Sequence, residues 1–377
     1  MLNQPIIHGG QVYQLAKQLD RPVEMFIDFS ASLNPLGPPT SVLKAMRQAI
    51  NGCQHYPDPH SEDLRAQLAQ KHKVSKESIL VGNGSAELIR ILPAALGLRH
   101  ALVVGPTFSE FEHSLQLAGV KCTSVNAVSA TRYTPPIEKL LEVLDEWKRA
   151  FTRKIQKSGV HNHAVFVCNP NSPTGRRMGL QDIRQILHVA HRIGCWMIVD
   201  EAFMDWCPSH SLLREMSKSS RLIIFRSFTK FFAIPGIRLG YLIGAPAAVE
   251  SIQKHLPQWS VNYVAQAAGM AALEDSPFRD RSLRFMQQER ARFLGKLRTI
   301  PGLRVIPSQA NFVMVEIVEG VVTEDIVGRL QGQGLLVRDC RTFSGVTKPA
   351  LRLAIRRRGD NRRLLQALTQ VLRNARS

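Results

Sequence analysis

Short apolar runs alternate with longer segments of helical periodicity through the middle of the chain. Near-continuous apolar runs are typical of strands that are covered on both faces of a sheet. The segments 86–98 and 180–194 repeat their apolar positions at helical spacing. This alternation predicts an α/β domain with a mostly parallel, doubly wound sheet. The predicted strands are SILVG (78–82), HALVVGP (100–106), AVFVCNP (164–170), CWMIVDEAF (195–203), RLIIFRS (221–227) and GYLIG (240–244).

The pattern changes beyond about residue 260. A long helical pattern there is interrupted near Ser276 and Pro277, and the apolar runs NFVMVEI, GLLVRDC and ALRLAIR follow it. We therefore predict an N-terminal arm over residues 1–35, a large α/β domain over 36–260 and a small α+β domain over 261–377. The arm, rich in Pro and Gly, is expected to join neither pattern.

Composition narrows the classes of function. In 377 residues, 44% of them hydrophobic, no apolar run approaches the roughly 18 residues of a membrane span. The first residues lack the basic and apolar regions of a secretory signal. The six cysteines show no metal-ligand spacing, so we expect reduced thiols, a cytoplasmic protein and no metal site.

The net charge of +19 makes a nucleic-acid partner conceivable. Many arginines, however, lie in a C-terminal segment whose leucines recur at helical spacing, which predicts an amphipathic helix with a solvated basic face. No RNA-binding aromatic motif or zinc finger accompanies them. We therefore expect no nucleic acid and no membrane partner, and the positive charge also suits small anionic substrates.

Polar residues follow the predicted strands at the edge where open α/β sheets bind ligands. Each residue alone has an ordinary structural explanation, as a turn, a core aromatic or a capped strand end. Together they offer an anion cradle, an aromatic face, an amide, a buried carboxylate, a lysine and an arginine. After the successive strands come Ser85, Ala86 and Glu87, which start a helix with free N–H groups; Phe108; Asn169 and Asn171; Asp200; and Ser227, Lys230 and Arg238.

Lys230 stands among phenylalanines in IIFRSFTKFFAIPGIRLGY. A surface lysine could lay its stem on those rings and keep its ammonium in water. Alternatively, a desolvated amine becomes nucleophilic enough to form a Schiff base. The combination of strand-end residues favours the second interpretation, a site for a phosphorylated aromatic aldehyde that condenses with lysine.

The motifs NPNSPTG, DEAF and SFTKFFAIPGIRLGY resemble those of the fold-type-I pyridoxal-phosphate enzymes, the aspartate aminotransferase superfamily. The resemblance implies that Lys230 bonds covalently to the cofactor and that Asp200 pairs with its pyridine nitrogen. It implies that Asn171 binds the phenolate oxygen and that Phe108 stacks on the ring. Ser85, Ala86, Ser227 and Arg238 match the phosphate site, and Tyr56 matches a tyrosine that reaches the partner subunit's phosphate, which implies a homodimer.

Transamination, decarboxylation and elimination all occur in this superfamily, so the fold does not determine the reaction. Arg352 matches the arginine that holds a substrate carboxylate, and Arg338 matches one that binds a substrate phosphate. Phe203 stands where histidinol-phosphate aminotransferases usually carry tyrosine.

The segments IIHGGQVYQLAKQL, DFSASLNPLGPP and LLVRDC resemble the threonine-phosphate decarboxylases of cobalamin biosynthesis. In that family His8, Gly9 and Asn34 belong to an arm that closes over the substrate and contacts its phosphate. The resemblance implies decarboxylation of threonine phosphate. The alternatives are histidinol-phosphate aminotransferase, a preference for serine phosphate, and a basic nucleic-acid-binding protein on a degenerate enzyme fold.

Overall fold

The computed structural model describes residues 8–158, 162–318 and 323–374. Over these residues the α-helices are α1 (Val12–Gln18), α2 (Thr40–Ala49), α3 (Glu62–His72), α4 (Ser85–Ala95), α5 (Glu110–Leu117), α6 (Ile137–Ser158), α7 (Leu180–Arg192), α8 (Phe228–Phe231), α9 (Pro246–Gln253), α10 (Tyr263–Glu274), α11 (Ser276–Leu297), α12 (Thr323–Gly332) and α13 (Arg358–Asn374). The strands are β1 (Ile27–Asp28), β2 (Ile79–Gly82), β3 (His100–Gly105), β4 (Lys121–Asn126), β5 (His163–Cys168), β6 (Trp196–Asp200), β7 (Leu222–Ser227), β8 (Gly240–Ile243), β9 (Leu303–Val305), β10 (Phe312–Ile317), β11 (Leu335–Leu336), β12 (Arg338–Asp339) and β13 (Ala350–Ala354).

The larger sheet has the strand order β2-β8-β7-β6-β5-β3-β4 within the described residues. Its pairs are parallel from β4 to β7, and only β8 runs antiparallel to its two neighbours. Leucines and isoleucines of α4 and α9 pack on one face of this sheet, and those of α6 and α7 pack on the other. The predicted α/β fold is therefore confirmed.

The six predicted strands of this sheet all form, and β4 is a seventh that the apolar pattern did not predict. Its sequence, KCTSVN, contains no apolar run because β4 lies at the sheet edge, where most of its side chains are exposed. Edge strands do not need the two buried faces that produce a continuous apolar run.

A second sheet contains β12-β13-β10-β9, and β1 pairs in parallel with β11. The apolar run GLLVRDC, predicted as one strand, is thus divided between two sheets, because β11 pairs with β1 whereas β12 pairs with β13. Residues Ile27 and Asp28, inside the predicted arm, were not expected to pair. None of the helices in the described part of the chain is both long and apolar enough to cross a membrane.

Candidate active site

A cavity of about 480 Å³ lies beyond the carboxyl ends of β5, β6 and β7. Its walls come from the arm, from the strand ends of the larger sheet and from the smaller sheet. Three elements far apart in sequence therefore meet around one space. Of the predicted site residues, the cavity is lined by His8, Gly9, Ser85, Ala86, Phe108, Asp200, Ser227, Lys230, Arg238, Arg338 and Arg352.

An anion cradle forms where α4 begins. Gly84 has a φ of 81°, and a Cβ there would stand 2.5 Å from Nη2 of Arg238. Only glycine allows the backbone to approach this guanidinium so closely. The hydroxyl groups of Ser227 and Thr229 lie 2.8 Å apart and face the same cavity. A helix N-terminus, a guanidinium and hydroxyl groups are the donors that a phosphate needs.

Lys230 lies in the single turn of α8 and lines the cavity. Burial lowers the pKa of its ammonium to about 8, and the positive charges of Arg352 and Arg238 act in the same direction. A lysine with this pKa is deprotonated far more often near neutral pH than an ordinary lysine. The geometry thus favours the nucleophilic interpretation over a surface lysine that keeps its charge in water.

Asp200 ends β6 with its side chain inside the protein. One carboxylate oxygen accepts a hydrogen bond of 2.9 Å from the backbone N–H of Ala202, and the other lies 4.0 Å from the thiol of Cys168. Burial raises the pKa of Asp200 to about 6. A cation placed beside this carboxylate would lower its pKa again, so the site suits a protonated ring nitrogen.

Asn171 lies beside the cavity rather than in its wall. Its Nδ2 donates to the hydroxyl of Thr107 over 3.3 Å, and its Oδ1 accepts from the hydroxyl of Thr174 over 3.0 Å. The next residue, Ser172, lines the cavity and accepts a 2.8 Å hydrogen bond from Arg352. The rigid turn that contains both residues therefore connects the amide to the arginine.

Arg338 and Arg352 face each other across the pairing of β12 and β13. Like charges directly opposite on neighbouring strands are unfavourable, and here Arg338 is buried and Arg352 is partly buried. Arg338 donates to Thr342, and its guanidinium lies 4.8 Å from the centre of the Phe343 ring. Burial lowers the pKa of Arg352 to about 10. An anion between the two guanidinium groups would relieve this repulsion.

Besides Asn171, three residues with predicted cofactor or substrate contacts lie outside the cavity wall: Asn34, Glu87 and Tyr56. Asn34 is buried, and its amide donates to the carbonyl of Phe231 and the hydroxyl of Ser282. Its backbone N–H donates to the carbonyl of Lys230. We therefore correct the expected phosphate contact of Asn34, because its amide hydrogens already hold the arm against α8.

Glu87 also has a structural contact in place of the expected cofactor contact. Its carboxylate accepts from the N–H of Asn83, and its own N–H donates to the carbonyl of Gly84. Tyr56 is 79% exposed and stacks on Trp259 with ring centres 4.5 Å apart. Within one chain Tyr56 does not reach the cavity.

The structure adds wall residues that the sequence reasoning missed. Thr229 lies between the predicted residues Ser227 and Lys230 in the SFTK motif, so its position in the sequence could have identified it as a site residue. Asp28 and Ser30 lie in the segment DFSASLNPLGPP, but local sequence assigned them no place in the cavity, and Glu110 gave no signal; each needs the tertiary fold to bring it to the cavity. The carboxylate of Asp28 accepts from the N–H and the hydroxyl of Ser30, which orders the arm at this point.

These residues fit pyridoxal phosphate. The cradle around Gly84 and Arg238 suits the phosphate, and the carboxylate of Asp200 suits the pyridine nitrogen. Lys230 is the amine that an aldehyde would meet. Phe108 supplies an aromatic face in the same wall.

Comparison with known proteins identifies the family of the chain. The family model for aminotransferase class I and II matches residues 24–368. Threonine-phosphate decarboxylase of Salmonella typhimurium is 33% identical over 97% of this chain and 96% of the relative. Histidinol-phosphate aminotransferase 1 of Carboxydothermus hydrogenoformans is 31% identical, covering 98% of this chain and 100% of the relative.

The crystal structure of histidinol-phosphate aminotransferase from Clostridium acetobutylicum superimposes with a TM-score of 0.81 at 28% identity. The superposition covers 92% of this chain and 99% of that structure. Sequence and fold thus agree over nearly the whole described chain. The chain belongs to the class I and II aminotransferase family and is a pyridoxal-phosphate-dependent enzyme.

Proposed function

We propose that this enzyme decarboxylates L-threonine O-3-phosphate to (R)-1-aminopropan-2-yl phosphate in cobalamin biosynthesis. The observation that carries the proposal is the pair of opposed arginines on β12 and β13, the buried Arg338 and the partly buried Arg352, which both line the cavity. A substrate with a carboxylate and a phosphate gives each guanidinium one anionic partner. The 33% identical relative from Salmonella typhimurium is named for this reaction and supports the same choice.

The two arginines would orient the substrate. Arg352 is held by Ser172 and by the carbonyl of Ser30, at 2.8 and 2.9 Å, so its remaining donors have a fixed direction for the carboxylate. Arg338 is held by Thr342 and is assigned to the phosphate. Planar guanidinium groups bind both anions through two parallel hydrogen bonds.

The reaction breaks the bond between the α-carbon and the carboxylate, and a proton replaces the carbon dioxide that leaves. Bound pyridoxal phosphate supplies the electron sink for the electron pair left on the α-carbon. Asp200 favours this by holding a proton on the ring nitrogen. Lys230, with its pKa of about 8, is the proton donor that the cavity offers to the α-carbon.

Amino transfer from histidinol phosphate is the second candidate, because a 31% identical relative carries that name. One local feature favours decarboxylation. Phe203 lines the cavity and packs edge-on against Phe312 with ring centres 4.9 Å apart. It offers no hydroxyl to the cofactor, where histidinol-phosphate aminotransferases usually carry tyrosine. Serine phosphate is a closely related alternative substrate. It differs from threonine phosphate by one methyl group, and a binding pocket discriminates only weakly on that basis.

The exposed aromatic pair supports a homodimer. Tyr56 and Trp259 are 79% and 42% exposed, and Ile50 nearby in sequence is 60% exposed. Large exposed apolar side chains that group together mark interaction surfaces. We propose that Tyr56 crosses this interface and contacts the cofactor phosphate of the partner subunit.

The deciding experiment gives the cofactor-loaded enzyme threonine phosphate without any 2-oxo acid and measures carbon dioxide. Release over many turnovers supports the decarboxylase. No release, together with amino transfer from histidinol phosphate to 2-oxoglutarate, would replace it with the aminotransferase. Parallel reactions with serine phosphate measure the preference for the methyl group.

Replacing Arg338 with alanine should raise KM for threonine phosphate about 10- to 100-fold, because a hydrogen bond to a charged group contributes about 1.5–3 kcal/mol. The kcat should change less, since the guanidinium does not touch the reacting carbon. Steady-state kinetics measure both values. Arg341→Ala is the matched control, because Arg341 pairs with Asp339 at the surface. An unchanged KM would remove Arg338 from the phosphate site.

A further inference from the structure

A hydrogen bond joins the arm to the far wall of the cavity. Nε2 of His8 lies 2.8 Å from Oε1 of Glu110, across 102 residues of sequence. Glu110 is the first residue of α5, and its side chain is only 14% exposed. The His8 ring also lies 6.0 Å from the ring of Phe108. All three side chains line the cavity.

Two glycines hold the arm against the opposite wall. A Cβ on Gly9 would stand 2.1 Å from the carbonyl oxygen of Ser30, a distance that no side chain tolerates. The N–H of Gly10 donates over 2.8 Å to the hydroxyl of Ser30, and its φ of 87° suits glycine. The arm therefore spans the cavity mouth from Ser30 to Glu110.

Glu110 is one of three carboxylates that the described residues place in the cavity wall. Asp200 is assigned to the ring nitrogen, and Asp28 is bonded to Ser30, which leaves Glu110 to be explained. An unpaired carboxylate at this place would repel a substrate phosphate. When the carboxylate is hydrogen-bonded to His8, the imidazole ring faces the substrate in its place. The hydrogen bond from His8 lowers the pKa of Glu110, and the nearby positive charge of Arg90 acts in the same direction. The carboxylate is therefore ready to accept from His8 at neutral pH.

A second explanation of Glu110 is local. An acidic residue in the first turn of a helix interacts favourably with the helix dipole. That role would stabilise α5 slightly but would not depend on His8. The two explanations differ in whether the effects of changing His8 and Glu110 are independent.

We propose that Glu110 is a positioning residue that docks the N-terminal arm and holds His8 over the substrate. His8 then completes the wall of the cavity where the substrate phosphate enters. The inference deepens the proposed function and rests on it for the identity of the substrate. The docking itself does not depend on which phosphorylated substrate the enzyme uses.

The test is a double-mutant cycle on the cofactor-loaded enzyme, with His8→Ala, Glu110→Ala and the double variant. Each single variant should raise KM for threonine phosphate about tenfold, since one charge-assisted hydrogen bond is lost, with a smaller change in kcat. The double variant should be no worse than the singles, because both remove the same contact. Glu110→Gln keeps an acceptor oxygen and should recover most of the lost affinity.

Hydrogen exchange of the backbone amides in residues 12–18 gives a readout without substrate. Exchange should become faster in Glu110→Ala, because a released arm opens more often. Glu112→Ala is the control on the same helix, since Glu112 accepts from Ser124 instead. It should leave exchange and KM as in the unaltered enzyme.

Gly9→Ala should disturb the His8–Glu110 hydrogen bond without removing either side chain. Its Cβ should push the arm off Ser30 and reproduce the faster exchange, whereas Gly359→Ala, which meets no atom within 4 Å, should not. Additive effects of His8 and Glu110, or unaltered exchange in Glu110→Ala, would overturn the proposal. If hydrogen exchange becomes faster but the enzyme does not decarboxylate threonine phosphate, the arm-docking role of Glu110 stands and only the proposed substrate is wrong.

Discussion

Replacing Lys230 with alanine should reduce turnover by at least about 100-fold, because a positioned proton-transfer group alone contributes about 10²–10⁴-fold. The variant should also lose the visible absorbance of covalently bound pyridoxal phosphate, since the cavity would hold no amine at that place. Lys230 has the lowered pKa of about 8 that both roles require. Absorbance spectra of the dialysed protein and carbon dioxide release measure the two effects.

Two further variants test whether Lys230 acts through its reactive amine or only through its positive charge. Lys230→Arg keeps a cation but cannot be deprotonated in proteins, so it should be as inactive as the alanine variant. Lys254→Ala removes an exposed lysine that pairs with Glu250 and should leave both measurements unchanged. Persistence of the absorbance and of turnover in Lys230→Ala would refute the assignment of the cavity as the active site.

The fold was largely predictable because a buried parallel sheet leaves a strong sequence signal. Strands covered on both faces, such as β6 and β7, need an almost continuous apolar run. The edge strand β4 needs none and was missed. The division between β11 and β12 was also missed, because the apolar run continues through Val337 while its hydrogen-bonding partners change.

The site was predictable where its residues follow strands in the same sheet. Asp200, Ser227 and Lys230 are brought together by the parallel order of β6 and β7, so local motifs sufficed. Contacts that depend on the arm could not be read from local sequence. Asn34 illustrates this, because its amide is used by Phe231 and Ser282 in the fold. Glu110 meets His8 only after two distant segments have packed.

A buried ion pair links the ends of β6 and β7 next to the cavity. Glu201 follows Asp200, and Arg226 precedes Ser227, so each partner adjoins a residue of the cavity. Nε of Arg226 lies 3.1 Å from Oε2 of Glu201, with side-chain exposures of 5% and 0%. Glu201 also accepts from the hydroxyl of Ser211 and the N–H of Leu212, at 2.6 and 2.8 Å. The pair therefore fixes the ends of β6 and β7 relative to each other.

Replacing Glu201 with alanine should lower the free energy of unfolding by about 3–5 kcal/mol, because a buried charge without its partner is costly. Asp205, 3.4 Å from Arg226, retains part of the compensation, so we expect the lower end of that range. Urea denaturation of the cofactor-free protein measures the loss without interference from ligand binding. The activity of the folded fraction should fall as well, since Asp200 and Ser227 lose their common support.

Glu142→Ala is the control for this loss, because Glu142 pairs with Lys139 on the exposed side of α6. An exposed helix pair of this kind contributes about 0.3–0.5 kcal/mol. Glu201→Gln keeps hydrogen-bonding atoms but not the charge, so its stability should lie between those of Glu201→Ala and the unaltered protein. Arg226 also donates to the hydroxyl of Ser211 over 3.2 Å. Equal stability of Glu201→Ala and Glu142→Ala would mean that Asp205 and Ser211 alone compensate the charge of Arg226. The alignment of β6 and β7 would then depend on their apolar packing rather than on the ion pair.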